Sequence, residues 1–337
     1  MRYQWRGLPV RRTPPVRYGP RSLPAVVIPL FIAVAVLGYV VGHARSGGGS
    51  SETLRTAKSA HVLIEYPIGW KPAASITQIP GLAIEHPQLI VPRARHASAG
   101  LIVGTLPAGE LGPLPRGFIS GLSRLPQTTV VDLVEAQAYR YAAFSGPALQ
   151  EPLVVFVIPN PGGHPTALAC YAPSQGSRYM RQCEQAVSGV TVVGQVQVYR
   201  LAPEPEYAAR ISTAILPLDR LRVALKRELQ PQITAERAQQ LATRLAAGFA
   251  QASTSLSNLE AASAAAQPVQ AALASSVQRA RDGYTALAGA ASERDASAYT
   301  AAQKRIAAAE SDVDWALENF VLLGYSSALG GSAPSPS

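Results

Sequence analysis

Between Ser22 and Gly42 the chain reads SLPAVVIPLFIAVAVLGYVVG, without one charged side chain. As a helix, Leu23 to Gly42 would be about 30 Å long at roughly 1.5 Å per residue, the thickness of a hydrocarbon core. The run therefore predicts a single transmembrane helix. Pro24 falls in the first turn, where a missing N–H is harmless, and Pro29 lies deeper and predicts a slight kink. Tyr39 falls at the far interface, where an amphipathic ring is at home.

The flanks set the orientation. Arg2, Arg6, Arg11, Arg12, Arg17 and Arg21 precede the run with no acid among them, whereas Arg45, Glu52, Arg55 and Lys58 follow it. The positive-inside bias puts the N-terminus in the cytoplasm and everything after Gly42 on the other side. Taking those six arginines from the formal charge of +9 leaves +3, which is no phosphate-binding stripe, so nucleic acid is not an expected partner. The lipid bilayer is. The rival reading is a cleavable signal peptide, with Gly42-His43-Ala44 as its processing site. The apolar run exceeds the usual ~7–15 residues of such a peptide, which favours retention. Only four lysines, Lys58, Lys71, Lys226 and Lys304, stand against abundant arginine and alanine, a bias associated with GC-rich bacterial genomes.

A chain of 337 residues has room for two ordinary domains. Residues 1–22 read as a basic cytoplasmic tail, 23–42 as the transmembrane helix and 43–59 as a linker, flexible around Ser46-Gly-Gly-Gly-Ser-Ser51. From 60 to 201, apolar runs of strand length recur between Gly/Pro punctuation: His61–Tyr66, Gly81–His86, Gly100–Leu106, Thr128–Val134, Ala136–Phe144, Leu153–Ile158, Thr166–Tyr171 and Thr191–Leu201. Helical stretches around Leu114–Arg124 and Ser177–Val190 interrupt them. The expected fold is α+β on an antiparallel sheet. Leu153-Val-Val-Phe-Val-Ile158, apolar throughout, is expected to lie centrally with both faces covered.

Tyr66-Pro-Ile-Gly-Trp70, followed by Pro80-Gly-Leu-Ala-Ile-Glu-His-Pro87 and then strand–helix–strand units, resembles the opening of PsbP-like domains. The resemblance covers at most Ala60 to Leu201. It implies an antiparallel sheet flanked by helices and an accessory or binding role, and it transfers no functional residue.

Cys170 falls in a predicted strand and Cys183 in the helix after it, both in the exported part. An oxidising compartment predicts a disulfide pinning helix to strand; the alternative is two unpaired thiols. A redox centre is disfavoured by the absence of C-x-x-C.

From Pro203 the composition turns to Ala, Gln, Ser and Arg at helical spacing, and residues 203–325 read as a helical bundle with a disordered tail at 326–337. Four helices are expected, near Glu204–Gln230, Thr234–Ala262, Pro268–Ala288 and Ser292–Leu322. Each carries one apolar stripe, such as Leu241, Leu245, Phe249, Ala252, Leu256 and Leu259 in the second. Short connections make neighbours antiparallel, hence a four-helix bundle. Pro217 predicts a kink or a break in the first, and Ser292 with Asp295 predicts a capping box for the last.

No catalytic constellation emerges. The five histidines, His43, His61, His86, His96 and His164, are scattered, none follows His164, and neither H-E-x-x-H nor paired cysteines suggest a metal. Ser120, in Gly117-Phe-Ile-Ser-Gly121, is nearest to a nucleophile elbow but falls in a predicted helix. No cofactor is expected. Tyr66, Trp70, His86 and Tyr171 are candidates to line a ligand groove, and the loops Gly109–Pro115 and Pro159–Pro165 are candidate recognition surfaces. The leading expectation is a membrane-anchored, extracytoplasmic binding or interaction protein of the bacterial envelope. It would be non-catalytic, with an envelope protein or a small ligand as partner and the bundle assisting assembly or spacing. The alternative is an envelope hydrolase whose site assembles near His86 and His96, with an acid such as Glu85.

Overall fold

The computed structural model describes residues 54–59, 61–75, 78–94, 98–149, 151–160, 163–193, 200–229 and 233–325. The expected transmembrane helix Leu23–Gly42, the basic tail and the C-terminal tail lie outside the described residues. Among the described residues no helix is long and apolar enough to cross a membrane.

Among the described residues, ten strands form two antiparallel sheets. The smaller joins β1 (Leu54–Ser59), β2 (Val62–Pro67) and β10 (Thr191–Val192) in the order β1-β2-β10. The larger contains β3 (Trp70–Ala73), β4 (Glu85–Pro92), β5 (Gly100–Thr105), β6 (Gln127–Asp132), β7 (Gln137–Ala142), β8 (Leu153–Ile158) and β9 (Thr166–Tyr171), in the order β3-β4-β5-β9-β8-β7-β6. β5 and β8 are buried at every position and flank β9, so the most apolar runs occupy the middle, where both faces are covered.

Side chains alternate between the two faces. One face of the larger sheet carries Ile90, Leu101, Val154, Phe156, Leu168 and Cys170. It packs on Met180, Cys183 and Val187 of helix α2 (Arg178–Ser188) and on Val62, Ile64 and Tyr66 of the smaller sheet. The opposite face carries Tyr139, Tyr141, Leu153, Val155, Val157, Ala167 and Ala169, and here the C-terminal helices pack.

Those helices are α3 (Pro205–Lys226), α4 (Ala235–Ser257), α5 (Ala266–Glu293) and α6 (Ala296–Leu322). They run antiparallel in succession: Glu228 pairs with Arg237 across the first connection, Gln270 near the start of α5 reaches Leu256 near the end of α4, and Tyr284 late in α5 reaches Glu310 in mid-α6. α3 closes the group on α6 through Tyr207 and Phe320, 6.2 Å apart at ring centroids, and Arg222 with Glu310. Their apolar stripes merge with the sheet face into a single core, and Tyr141 Oη donates to Leu322 O at 2.8 Å. Thr234 and Asp295 cap α4 and α6 with their side-chain oxygens.

Several expectations needed correction. The helix expected over Leu114–Arg124 is a single turn, α1 (Arg116–Ile119), because Gly117 and Gly121 weaken it and Ser123 N donates instead to Ser145 O at 2.7 Å. The strand expected over Gly81–His86 begins only at Glu85: Gly81 has φ 77°, Leu82 N closes a turn onto Ile79 O, and a bulge follows between Glu85 and Gln88. β1 lies within the segment expected as linker, and β3 had no counterpart. The last expected strand is described only as Thr191–Val192. α3 continues through Pro217. The Ser292 capping box is absent, since α5 runs to Glu293 and closes through Arg294, in left-handed conformation at φ 58°, with Asp295 N bonded to Ala290 O.

Candidate ligand cleft

The helices cover only part of their sheet face. Over β3, β4 and β5 and the adjoining ends of β9 and β8 the same face is left as an open cleft of about 720 Å³, within the range of small-molecule sites. Its floor is Ala73, Leu89, Val91, Leu153 and Tyr171, and its walls hold Gln78, Ile79, Arg93, Ser98, Leu149 and Glu151. Tyr171 is placed by a missing side chain. Gly100 lies opposite it in the β5–β9 register, and a Cβ there would stand 2.6 Å from Tyr171 Oη and 2.7 Å from its Cζ. The ring therefore lies against bare backbone, the way aromatic residues rescue a glycine in a sheet.

At the β3 end, Lys71 and Arg93 line the cleft. Lys71 is paired with Val91, and Arg93 N donates to Gly69 O at 2.7 Å, so the two cations are diagonal neighbours on one face. Among the described residues neither forms an ion pair. At the β8 end, Glu151 accepts a hydrogen bond from Ser98 Oγ.

Of the four residues expected to form a groove, only Tyr171 lines this cleft. Tyr66 and Trp70 are 4% and 2% exposed and belong to the core on the other side of the sheet, where Trp70 Nε1 donates to Gln182 Oε1 at 3.3 Å. The period-two alternation is the reason: Trp70 points to the α2 side and Lys71 to the cleft, just as Cys170 and Tyr171 divide. His86 is exposed on the β4 bulge with φ 48°, apart from all three. Cys170 and Cys183 form the disulfide that ties β9 to α2, with Cα atoms 5.9 Å apart. His96 and His43 lie outside the described residues. Glu85 partners His164, not His86: His164 Nδ1 is 3.0 Å from Glu85 Oε2 and 3.2 Å from Leu106 O, so it carries the proton and donates to both. Ser120 caps α1, and its Oγ donates to Gly117 O.

Sequence reasoning passed over two constellations. The first is the Lys71 and Arg93 pair, whose only signal was alternation counted from a buried Trp70. The second lies between α3 and α6, where Glu310, 5% exposed, accepts from Arg222 Nε (3.3 Å), Lys226 Nζ (2.6 Å) and Tyr284 Oη (2.9 Å). Burial opposes the charge on Arg222, but Asp314 and Glu310 outweigh it and hold its pKa above the ordinary value. Burial, then the charge of Glu310, pushes the Tyr284 hydroxyl far up, so it stays a donor. Glu318, one helical turn beyond Asp314, is also raised, first by burial and then by Asp314. The two Gly/Pro loops singled out as recognition surfaces do converge, lining with Tyr139 and Pro268 a second cleft of about 530 Å³.

No family model and no curated protein matches the chain. Among solved structures, a crystal structure from Bacteroides thetaiotaomicron VPI-5482 is similar at 9% identity, covering 69% of this chain and 76% of its own, with a TM-score of 0.26. The solution structure of cyanobacterial PsbP (CyanoP) from Synechocystis sp. PCC 6803 is similar at 16% identity, covering 43% of this chain and 96% of its own, with a TM-score of 0.29. A PsbP-like structure is among those the chain weakly resembles, and neither likeness bears on activity.

Proposed function

We propose that this chain is a membrane-anchored, extracytoplasmic binding protein of the bacterial cell envelope, acting without catalysis through the cleft on the larger sheet. The observation that carries the reading is the partial cover of one sheet face: the helices bury its β7–β9 half and leave a cleft with an apolar, aromatic floor and polar walls over the rest. The uncharged run Leu23–Gly42 behind six arginines supports an anchor with the N-terminus inside. The Cys170–Cys183 disulfide suits an oxidising compartment beyond it.

The test is a photo-crosslinking side chain at Val91, which lines the cleft, activated in living cells and followed by mass spectrometry. One discrete adduct, lost on Tyr171→Ala, is the expected outcome. Recovery of random neighbours alone, or an adduct indifferent to Tyr171, would overturn the reading.

A further inference from the structure

Two cations at diagonal positions on one face of a strand pair, ~7–8 Å apart, form an arrangement with a shared positive field. Lys71 and Arg93 adopt it at the mouth of an apolar cleft, with no acid in ion-pair range among the described residues. Glu151, the acid that shares the cleft, accepts from Ser98 Oγ, in the connection between β4 and β5 that also carries Arg93, and among the described residues pairs with neither cation. The cleft crosses five strands in the order β3-β4-β5-β9-β8. At ~4.8 Å between strands that is about 19 Å from Lys71 to Leu153 and about 14 Å from Arg93, which follows β4. Between the ends lie Leu89, Val91 and the ring of Tyr171, with nothing charged on the floor.

Resting on the reading of this cleft as the ligand site, we propose that its ligand is an elongated amphipathic anion, an apolar chain or ring system bearing one carboxylate or phosphate. The acid group sits between Lys71 and Arg93, which then repel each other less and donate charge-assisted hydrogen bonds. The apolar body lies along Val91, Leu89 and Tyr171 toward Leu153. The apolar floor sets a further limit: a second acid at the far end of the ligand meets Leu153 and, among the described residues, no cation, so monoacids are preferred over diacids. The same chemistry is offered by a lipid of the bilayer and by a free acid.

Calorimetry on the full chain in nanodiscs of zwitterionic lipid tests this with octyl phosphate, octylammonium, octane-1,8-diyl bisphosphate and inorganic phosphate as probes. Octyl phosphate is expected to bind saturably, and at least about tenfold more weakly in the Lys71→Gln/Arg93→Gln double variant and at high salt. Both cations are exposed, so the variant is expected to keep the parent's melting temperature. Octylammonium, the bisphosphate and inorganic phosphate are each expected to bind more weakly than octyl phosphate. Replacing part of the lipid by phosphatidic acid separates the sources: competition assigns the ligand to the bilayer, undiminished binding assigns it to a free acid, and both support the proposal. Equal affinity for octylammonium, equal affinity for inorganic phosphate, or an unchanged double variant would overturn it. The in-cell adduct at Val91 does not depend on head-group charge. Its persistence alongside any of those results would remove the anionic ligand and leave the binding cleft standing.

Discussion

Glu310 is the residue on which the helical part places most electrostatic weight. Its carboxylate is nearly withdrawn from water, and three donors from two other helices meet it: Arg222 and Lys226 of α3 and Tyr284 of α5. Removing it leaves the buried Arg222 with its charge less compensated and the buried Tyr284 hydroxyl without its acceptor. Glu310→Ala is expected to lower unfolding stability by about 3 kcal/mol, the lower end of the range for a broken buried pair, because Asp314 still faces Arg222. Urea denaturation reads this directly, and a change under about 0.5 kcal/mol, the size usual for surface substitutions, would contradict it. Glu318 lies on the same helix, about two turns further on. Its raised folded pKa means the folded chain holds the proton more tightly than the unfolded chain. The cost of its charge is therefore absent in acid and fully present above the folded value. Glu318→Gln is expected to stabilise the protein at neutral pH, with the gain fading as pH falls through the carboxylate range; a gain independent of pH would show that the charge is not its cause. Glu310 was half visible in the sequence, since it falls one turn after Ile306 on the apolar stripe of its helix. What it meets there depends on the rotation of α3, which no local pattern encodes.

At the scale of elements, the loop after β5 shows how the sheet is joined to the helices. Gly112 presses on α6 so closely that a Cβ would stand 1.5 Å from Oδ1 of Asn319. Asn319 is fully buried, donates to Trp315 O at 2.8 Å, and has no partner for that oxygen. Gly112→Ala is expected to cost about 1–3 kcal/mol by overpacking. The penalty should shrink in an Asn319→Ala background, and a double-mutant cycle showing simple additivity would refute the contact. The strands at β8 and β9 were legible to the residue, because a continuous apolar run between turn residues allows little else. The four long helices were legible to within a few residues, their stripes being repeated over many turns. The failures fall where backbone geometry outruns composition. Gly81, at positive φ, delays β4, His86, also at positive φ, bulges it, and β3 is a strand because Trp70 finds a core beneath it rather than because its own residues prefer one.

For the molecule as a whole, sheet and helices share one core: Tyr139 and Tyr141 of β7 belong to the same apolar cluster as Tyr207, Phe320 and Tyr325. Residues 54–325 should then unfold together. Trp70 lies under the sheet and Trp315 on α6 beside Arg116, whose guanidinium is 5.4 Å from its ring. Fluorescence of a Trp315→Phe variant and of a Trp70→Phe variant, each corrected for its own stability, should report transitions coincident with circular dichroism. A helical transition separate from the sheet transition would mean that the shared core does not couple them. Hydrophobic period by itself determined the α+β class, the antiparallel central strands, the four helices and the apolar run ahead of them, because period is a property of neighbours along the chain. Alternation likewise decided that Trp70 and Lys71, or Cys170 and Tyr171, must face opposite ways. Only the tertiary structure decided which face was which. It buried Tyr66 and Trp70 against α2 and left Tyr171 in a cleft the helices do not reach, because that choice depends on where 120 residues of distant chain come to rest on the sheet.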